Sequence, residues 1–453
     1  MKQITLKVDL YEYSQVEKAC KLAAEKLGLS REGLEADLQR LTGLLEYYRD
    51  QQLHKNKEHR PAKVQVPAAT ATKCIEFLKS GNLVDKLNGL IGQAGIVGEE
   101  TNRILLFIIA SSYKMPDTLH ALIQGSSGSG KTQLLKVISE LMPPEDVKRY
   151  TRVTDNSFYN QDEYFFVHQL VCFEDLDGLK EDAQLAVREL QSNEILRTST
   201  SLKDKHGQIS GGERVVRGPI ASLACTTKGE VYEDNVSRSF LIAVDESREQ
   251  TLRVIRYQND MAAGLVAKDE QQKVKAFVQH CIRLLKPYPV INPYANKIKL
   301  PEEAHKIRRL NELYQCFVRQ VTLLNQYQRK QDGQGRLISE KADLQAACDI
   351  LFESILLKVD ELDGSLRQFF EKLKGFVQGK GKDYEFNRFE LREALGLSKS
   401  QQHYYINRLV ELEYLVQYGH ANRGYRYRIA HWDNIAAVRA RIKDSLQNQL
   451  DKL

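Results

Sequence analysis

The 453-residue sequence has few of the features that would tie it to a membrane, a secretory route or a structural metal. Its longest apolar stretch, ILLFIIA from Ile104 to Ala110, falls far short of the roughly 20 residues that cross a bilayer. The opening MKQITLKVDLYEYSQ lacks the apolar centre of a signal peptide. Seven cysteines stand singly, at 20, 74, 172, 225, 281, 316 and 348, and no CxxC pair occurs. Neither a zinc site nor a disulfide framework is therefore expected, and a reducing compartment fits. No internal repeat or low-complexity tract appears. The formal charge of +6 is mildly basic, which suits a polyanionic partner on one face without demanding one. These absences lead to the expectation of a cytoplasmic protein.

What is present is enough apolar material, 42%, for several cores, and a length that points to about three domains. Residues 1–60 read as a small, mostly helical N-terminal α+β domain. It has a strand in QITLKVDLY, then helices split at Gly28 and Leu29 with Ser30 as N-cap. Leu34, Leu38, Leu41, Leu45 and Tyr48 recur at heptad spacing over a short span, which suits an edge packed on a neighbouring domain. Residues 61–85 read as a linker, because HKNKEHRPAKVQVPAATAT carries two prolines and few large apolar residues. From 86 to 247 helical and strand signals alternate, the rhythm of an α/β domain with a parallel sheet. Residues 248–378 are helical by period. A compact unit over 379–432 and an amphipathic helix over 433–453 complete the chain.

Chemistry concentrates in LIQGSSGSGKTQLLKVI, where Gly125, Gly130, Lys131 and Thr132 satisfy G-x-x-x-x-G-K-[ST]. In such a loop (Gly125, Ser126, Ser127, Gly128, Ser129, Gly130) the glycines let backbone N–H groups turn towards the β-phosphate. Lys131 reaches the β and γ oxygens, and the Thr132 hydroxyl ligates Mg2+. The helix that follows adds the positive end of its dipole. The strand HALIQ before the loop and the amphipathic TQLLKVISEL after it supply the required context, so ATP with Mg2+ is the expected ligand.

Further along, QLVCFEDLDGL ends a buried-strand pattern in acids. By position Glu174 would serve the metal and Asp175 the attacking water, with Asp177 able to replace either; the alternative is that these acids cap the helix starting near Leu179. EILRTSTSLKDKHGQISGGERVVRGPIASLACTT then reads as a β-hairpin. It carries Arg197, Lys203, Lys205, His206, Arg214 and Arg217 against only Asp204 and Glu213. IASLACTT follows as a buried strand with Thr226 and Thr227 at its tip, and Arg238 lies beyond it in DNVSRSF.

Phosphate loop, acidic strand, hairpin, polar strand tip and trailing arginine stand in the order found in AAA+ ATPases. The hairpin placed before the polar tip is similar to that of the MCM and superfamily-3 helicase groups. RVTDNSFYN, FEDLDGL, RELQSNEILRTSTSLKDK, GPIASLACTT and EDNVSRSFLIAVDES resemble the ATPase module of bacterial mobile-element primase–helicase proteins, over roughly residues 90–375. The resemblance implies a parallel-sheet P-loop core with a pre-sensor hairpin and a helical lid over 248–378. It implies that Thr226 is sensor 1, Arg238 an arginine finger reaching a neighbour's γ-phosphate, and Arg308 or Arg309 sensor 2. It also implies a ring, a hexamer, working in DNA replication. Two departures stand out: the acids run glutamate then aspartate, the reverse of the usual order, and no zinc-ribbon or primase motif is present. A primase, if the system has one, is expected on another chain.

The segment Tyr384–Ile429 is similar to a winged helix, a helix-turn-helix with a β wing. In its longer helix Ile406, Leu409 and Leu412 form an inward face, leaving Lys399, Gln401, Gln402, His403 and Arg408 to point outward. The wing offers Arg423, Arg426 and Arg428 among Tyr425 and Tyr427, suited to phosphate contact and base stacking. Such units also bind protein. The sequence therefore supports an ATP-driven DNA translocase or helicase. A second reading is an ATP-switched initiator, loader or transposition regulator that does not unwind DNA, and a third is an ATPase acting on proteins.

Overall fold

A computed structural model of the chain describes residues 4–57, 64–203, 209–227, 238–360, 362, 364–396, 398–420 and 424–453. The chain forms two compact units, Met1–Gln65 and Val66–Leu453. The first is a helical pair, α1 (Tyr13–Leu27) and α2 (Arg31–Lys57). Gly28 ends α1 in the left-handed conformation at φ +73°, where the lack of a Cβ removes the strain. Residues 4–10, expected to be a strand, take no regular structure. Alternation alone does not make a strand when no neighbouring strand accepts its hydrogen bonds. The described part of this unit is thus helical rather than α+β.

The second unit is built on β1 (His120–Gln124), β2 (Val147–Tyr150), β3 (Gln169–Phe173), β6 (Ile220–Thr226) and β7 (Phe240–Ala243). They form a five-stranded sheet in the order β2-β3-β6-β1-β7, and every pairing is parallel. Every residue of β1 and β6 is buried, as strands covered on both faces require. One face is packed by α5 (Glu100–Ser111) and α6 (Lys131–Glu140), in a cluster that also includes α3 (Ala68–Leu78) and α4 (Leu83–Gln93). Its cluster extends into α9 (Lys268–Leu284), α10 (Ile307–Leu324), α11 (Lys341–Val359) and α15 (Ile435–Asp451). Ile104–Ser111 are all buried, so ILLFIIA is a helix enclosed by protein, apolar all round for that reason. No helix among the described residues is long and apolar enough to cross a membrane.

The other face is covered by α7 (Glu181–Asn193), by Val153, Phe158 and Phe166, and by the base of a hairpin, β4 (Ile195–Lys203) with β5 (Ile209–Arg217). The hairpin is antiparallel, pairing Ile195 with Arg217 through to Lys203 with Ile209. Helix α8 (Arg248–Ala262) follows β7, capped by the Ser247 hydroxyl. Two short parallel strands, β8 (Val290–Ile291) and β9 (Leu337–Ile338), join the loops between the later helices.

A third cluster joins α12 (Gly364–Gln378) to α13 (Arg388–Leu395), α14 (Lys399–Glu411), β10 (Leu415–His420) and β11 (Gly424–Ile429), the last two antiparallel. Here the chain makes two helices joined by a short turn, followed by a β-hairpin. Ser398 begins α14 with a capping box to Gln401.

One further expectation changes, and two helical segments gain a place. The span 61–85 is not linker throughout: α3 and the start of α4 lie in it, with Cys74 and Leu78 buried one turn apart and Phe77 edge-on to Phe277 at 5.3 Å. Small alanine and threonine side chains disguised a helix held by tertiary packing. Of the helices in 248–378, α9, α10 and α11 share a hydrophobic cluster with the sheet, and α12 shares one with the C-terminal elements. The final helix, to which the sequence assigned no use, buries Ile442, Leu446 and Leu450 at i, i+4 and i+8 against α11 and the main core.

Candidate phosphate-binding site

The carboxyl ends of β1, β3, β6 and β7 bring the site together, where open parallel sheets bind ligands. β1 runs directly into Gly125–Gly130, and α6 starts at Lys131. Gly128 at φ +81° and Gly130 at φ +95° occupy left-handed backbone that residues with a Cβ rarely adopt. Gly125 is fixed by space: a Cβ there would lie 2.7 Å from Ser129 Oγ and 3.1 Å from Glu246 Oε1. The Lys131 ammonium donates to the Gly125 carbonyl at 2.9 Å and the Ser126 carbonyl at 2.5 Å, and the residue is only 7% exposed. Burial lowers its pKa from the ordinary lysine value, while the carboxylates of Glu246, Asp177 and Asp175 pull it back up. Burial pushes the Cys225 thiol up to about 12, so it stays neutral beneath the loop. Thr132 is exposed in the first turn of α6.

Thr226 ends β6 opposite Gln124, the residue before the loop. Asp177 ties the tips of β3 and β6 together: it accepts from Thr226 Oγ1 at 2.8 Å, from the Thr227 N–H at 2.7 Å and from Thr227 Oγ1 at 3.0 Å. Asp175 accepts from the N–H groups of Asp177 and Gly178 at 3.0 and 3.3 Å, closing the turn after the strand. Neither acid caps α7, whose N-cap is Lys180. Glu174 turns the other way, to Arg149 on β2 at 3.1 Å. The three candidate acids therefore have three different engagements.

Sequence reasoning missed Glu246. It lies just past β7 and accepts from the Ser126 N–H at 2.5 Å and from Ser126 Oγ at 2.8 Å. Its only local signal is an acid after a short apolar strand, and nothing in the chain order pairs it with the loop.

The residues fit a nucleotide phosphate. Two loop glycines hold the left-handed backbone such loops use, a lysine is folded onto the loop, and Ser129 Oγ is buried with no hydrogen-bond partner among the described residues. Thr132 and the acids after β3 are the groups that would hold Mg2+.

Arg238 lies two residues before β7, partly exposed, and Arg309 is the third residue of α10. Among the expected DNA contacts, Lys205, His206 and Arg423 lie outside the described residues. Lys203 ends β4, Lys399 begins α14 and is exposed, and the Arg426 side chain is 69% exposed on β11, 3.8 Å from Glu385. Gln402 is a correction: it is 3% exposed, and its side-chain amide donates to the Arg388 carbonyl between the two helices. Tyr427 does not project freely either, whereas His403 is exposed but hydrogen-bonded. Arg388 donates to His403 Nδ1, Asn407 Oδ1 and the Tyr427 hydroxyl, and Tyr427 is buried against Phe386. The hairpin arginines are also engaged: Arg197 with Glu213 at 3.3 Å, Arg214 with Asn160 and Arg217 with Glu163, both at 2.7 Å.

Residues 67–286 match the family model described as the MTBMA_p00010 P-loop domain. No curated protein matches the chain. Sheet, loop and match together fit a P-loop nucleoside triphosphatase. The matched span starts at Pro67, so α3 and α4 belong to this domain.

Proposed function

We propose that this protein is an ATP-dependent, ring-forming DNA helicase or translocase acting in replication, of the AAA+ kind used by mobile elements. The observation that carries the reading is topological. β6, with Thr226 at its tip, is inserted between the phosphate-loop strand and the acidic strand, and the β4–β5 hairpin leaves the sheet just before it. A device at the end of the hairpin is thereby joined to the strand that senses the phosphate site.

Mg2+ neutralises charge on the transferring phosphoryl group. Lys131 leaves the loop carbonyls for the β and γ oxygens, and Thr132 with one of Glu174, Asp175 and Asp177 holds the metal. A second acid orients the water, with Thr226 alongside. Arg238 reaches a neighbouring subunit's γ-phosphate, which is worth about 10³–10⁵ in turnover for such fingers; Arg309 acts as sensor 2. The hairpin and the C-terminal unit, read as a winged helix, contact DNA through Lys203, Lys205, His206, Lys399, Arg423 and Arg426. The pairing of Arg197, Arg214 and Arg217 within the protein favours a second reading, an ATP-switched initiator or loader that grips DNA without unwinding it.

Strand displacement on a forked duplex separates them. The motor displaces the strand with ATP, and Lys131→Ala does not. DNA-stimulated ATP hydrolysis without displacement supports the switch, and hydrolysis indifferent to DNA contradicts both.

A further inference from the structure

A carboxylate beside a loop meant for a polyphosphate is electrostatically out of place. Glu246 nevertheless presents both oxygens to that loop, one to the Ser126 N–H and one to Ser126 Oγ. The turn that carries it is itself well held. The Val244 N–H donates to the Gln124 carbonyl at 3.0 Å, the Asp245 N–H to Glu99 at 2.7 Å and the Ser247 N–H to Asp245 at 2.8 Å. Glu246 is therefore a fixed post next to β1.

Two side chains restrain the Gly125–Ser126 turn. Lys131 takes the carbonyls of both residues, and Glu246 takes the N–H and hydroxyl of Ser126. On nucleotide binding Lys131 must leave those carbonyls, because its ammonium is needed at the phosphate. The Glu246 anchor then carries the restraint alone. Its contact also occupies the Ser126 N–H, so that group is held by the protein.

We infer that Glu246 is a positioning residue that keeps the phosphate loop in its receiving shape once Lys131 has been drawn to the nucleotide. The inference rests on the nucleotide-hydrolysing reading above and adds a residue that the phosphate-loop pattern does not contain. Because Lys131 shares the task in the ligand-free protein, removing Glu246 should weaken the bound state more than the free one. A merely structural residue would do the opposite, lowering the thermal midpoint of the free protein and leaving affinity alone.

The test is calorimetric titration of the full chain with Mg2+ and a non-hydrolysable ATP analogue, alongside thermal midpoints without nucleotide. Glu246→Ala should weaken binding about tenfold, the range for losing charge-assisted hydrogen bonds. Glu246→Gln, which keeps an acceptor for the Ser126 N–H, should recover to within about threefold of wild type. Ser126→Ala removes only the hydroxyl contact. It should cost about threefold alone and nothing further in the Glu246→Ala background, and it keeps the test open if Glu246→Ala does not fold. Wild-type affinity in both Glu246→Ala and Ser126→Ala, with Lys131→Ala impaired, would overturn the inference alone. A wild type that binds no analogue would remove the functional reading together with it.

Discussion

Glu174 and Arg149 show how a single contact bears on the chemistry. Their ion pair is partly exposed, and such pairs are worth about 1 kcal/mol or less. Arg149→Ala should therefore leave the thermal midpoint nearly unchanged. If Glu174 has to leave Arg149 to serve at the phosphate site, the same change raises basal ATP hydrolysis by up to about fivefold. Steady-state turnover beside a melting curve checks both; a rate that falls would mean that Arg149 holds Glu174 in its working position. At this scale the sequence was legible where function is contiguous. The phosphate loop could be read because its glycines, lysine and threonine follow one another. Glu246 could not, because its partner Ser126 is brought near only by the pairing of β1 with β7. Gln402 misled for a related reason: helical spacing placed it on the outer face, but α13 packs over it and supplies the Arg388 carbonyl.

At the scale of elements, β1 and β6 carry a pH signature. His120 is buried, with Nδ1 at 3.0 Å from Ser222 Oγ, which also accepts from Gln191. Burial pushes its pKa down to about 4 from an ordinary 6.5. The unfolded chain thus binds a proton that the folded chain refuses, so the contribution is complete above pH 6.5 and is lost as the pH falls towards 4, up to about 3 kcal/mol. Urea unfolding of His120→Gln between pH 7 and 4.5 should show a shallower fall in stability than wild type; parallel curves would contradict the assignment. β1, β3 and β6 were legible as strands because central strands covered on both faces are continuously apolar. By contrast, β2 (VKRY, only partly buried) and β7 (four residues) gave too short or too polar a pattern to be read. Residues 4–10 and α3 were misread, the first for want of a pairing partner, the second because its small side chains carry a weak periodic signal.

Over the whole P-loop unit, two helices tie the C-terminal elements to the body built on the parallel sheet. α12 belongs to the C-terminal cluster, and its first residue is so close to β7 that a Cβ on Gly364 would lie 2.8 Å from the Ala243 Cβ. Arg367 and Lys374 of α12 pair with Asp433, just before α15, which then returns to α11 and the main core. Truncation after Asn434 should leave the Asp433 pairs in place but expose the core under Ile442, Leu446 and Leu450. Each such side chain is worth about 1.5–3 kcal/mol, so the thermal midpoint should drop by several degrees. An unchanged calorimetric midpoint would show that α15 adds nothing to the body. The order of motifs made the P-loop core legible in the sequence, but not the way α15 closes back on it, because an amphipathic helix does not specify its partner.

The central claim is that ATP is hydrolysed at a seam between copies, with Lys131 from one and Arg238 from the next. ATP turnover of a mixture of Lys131→Ala and Arg238→Ala proteins tests this most directly. Each variant alone should be nearly inactive, and the mixture should regain a measurable part of wild-type turnover, because some seams then combine an intact loop with an intact arginine. A mixture that stays inactive while both variants still assemble would contradict the claim.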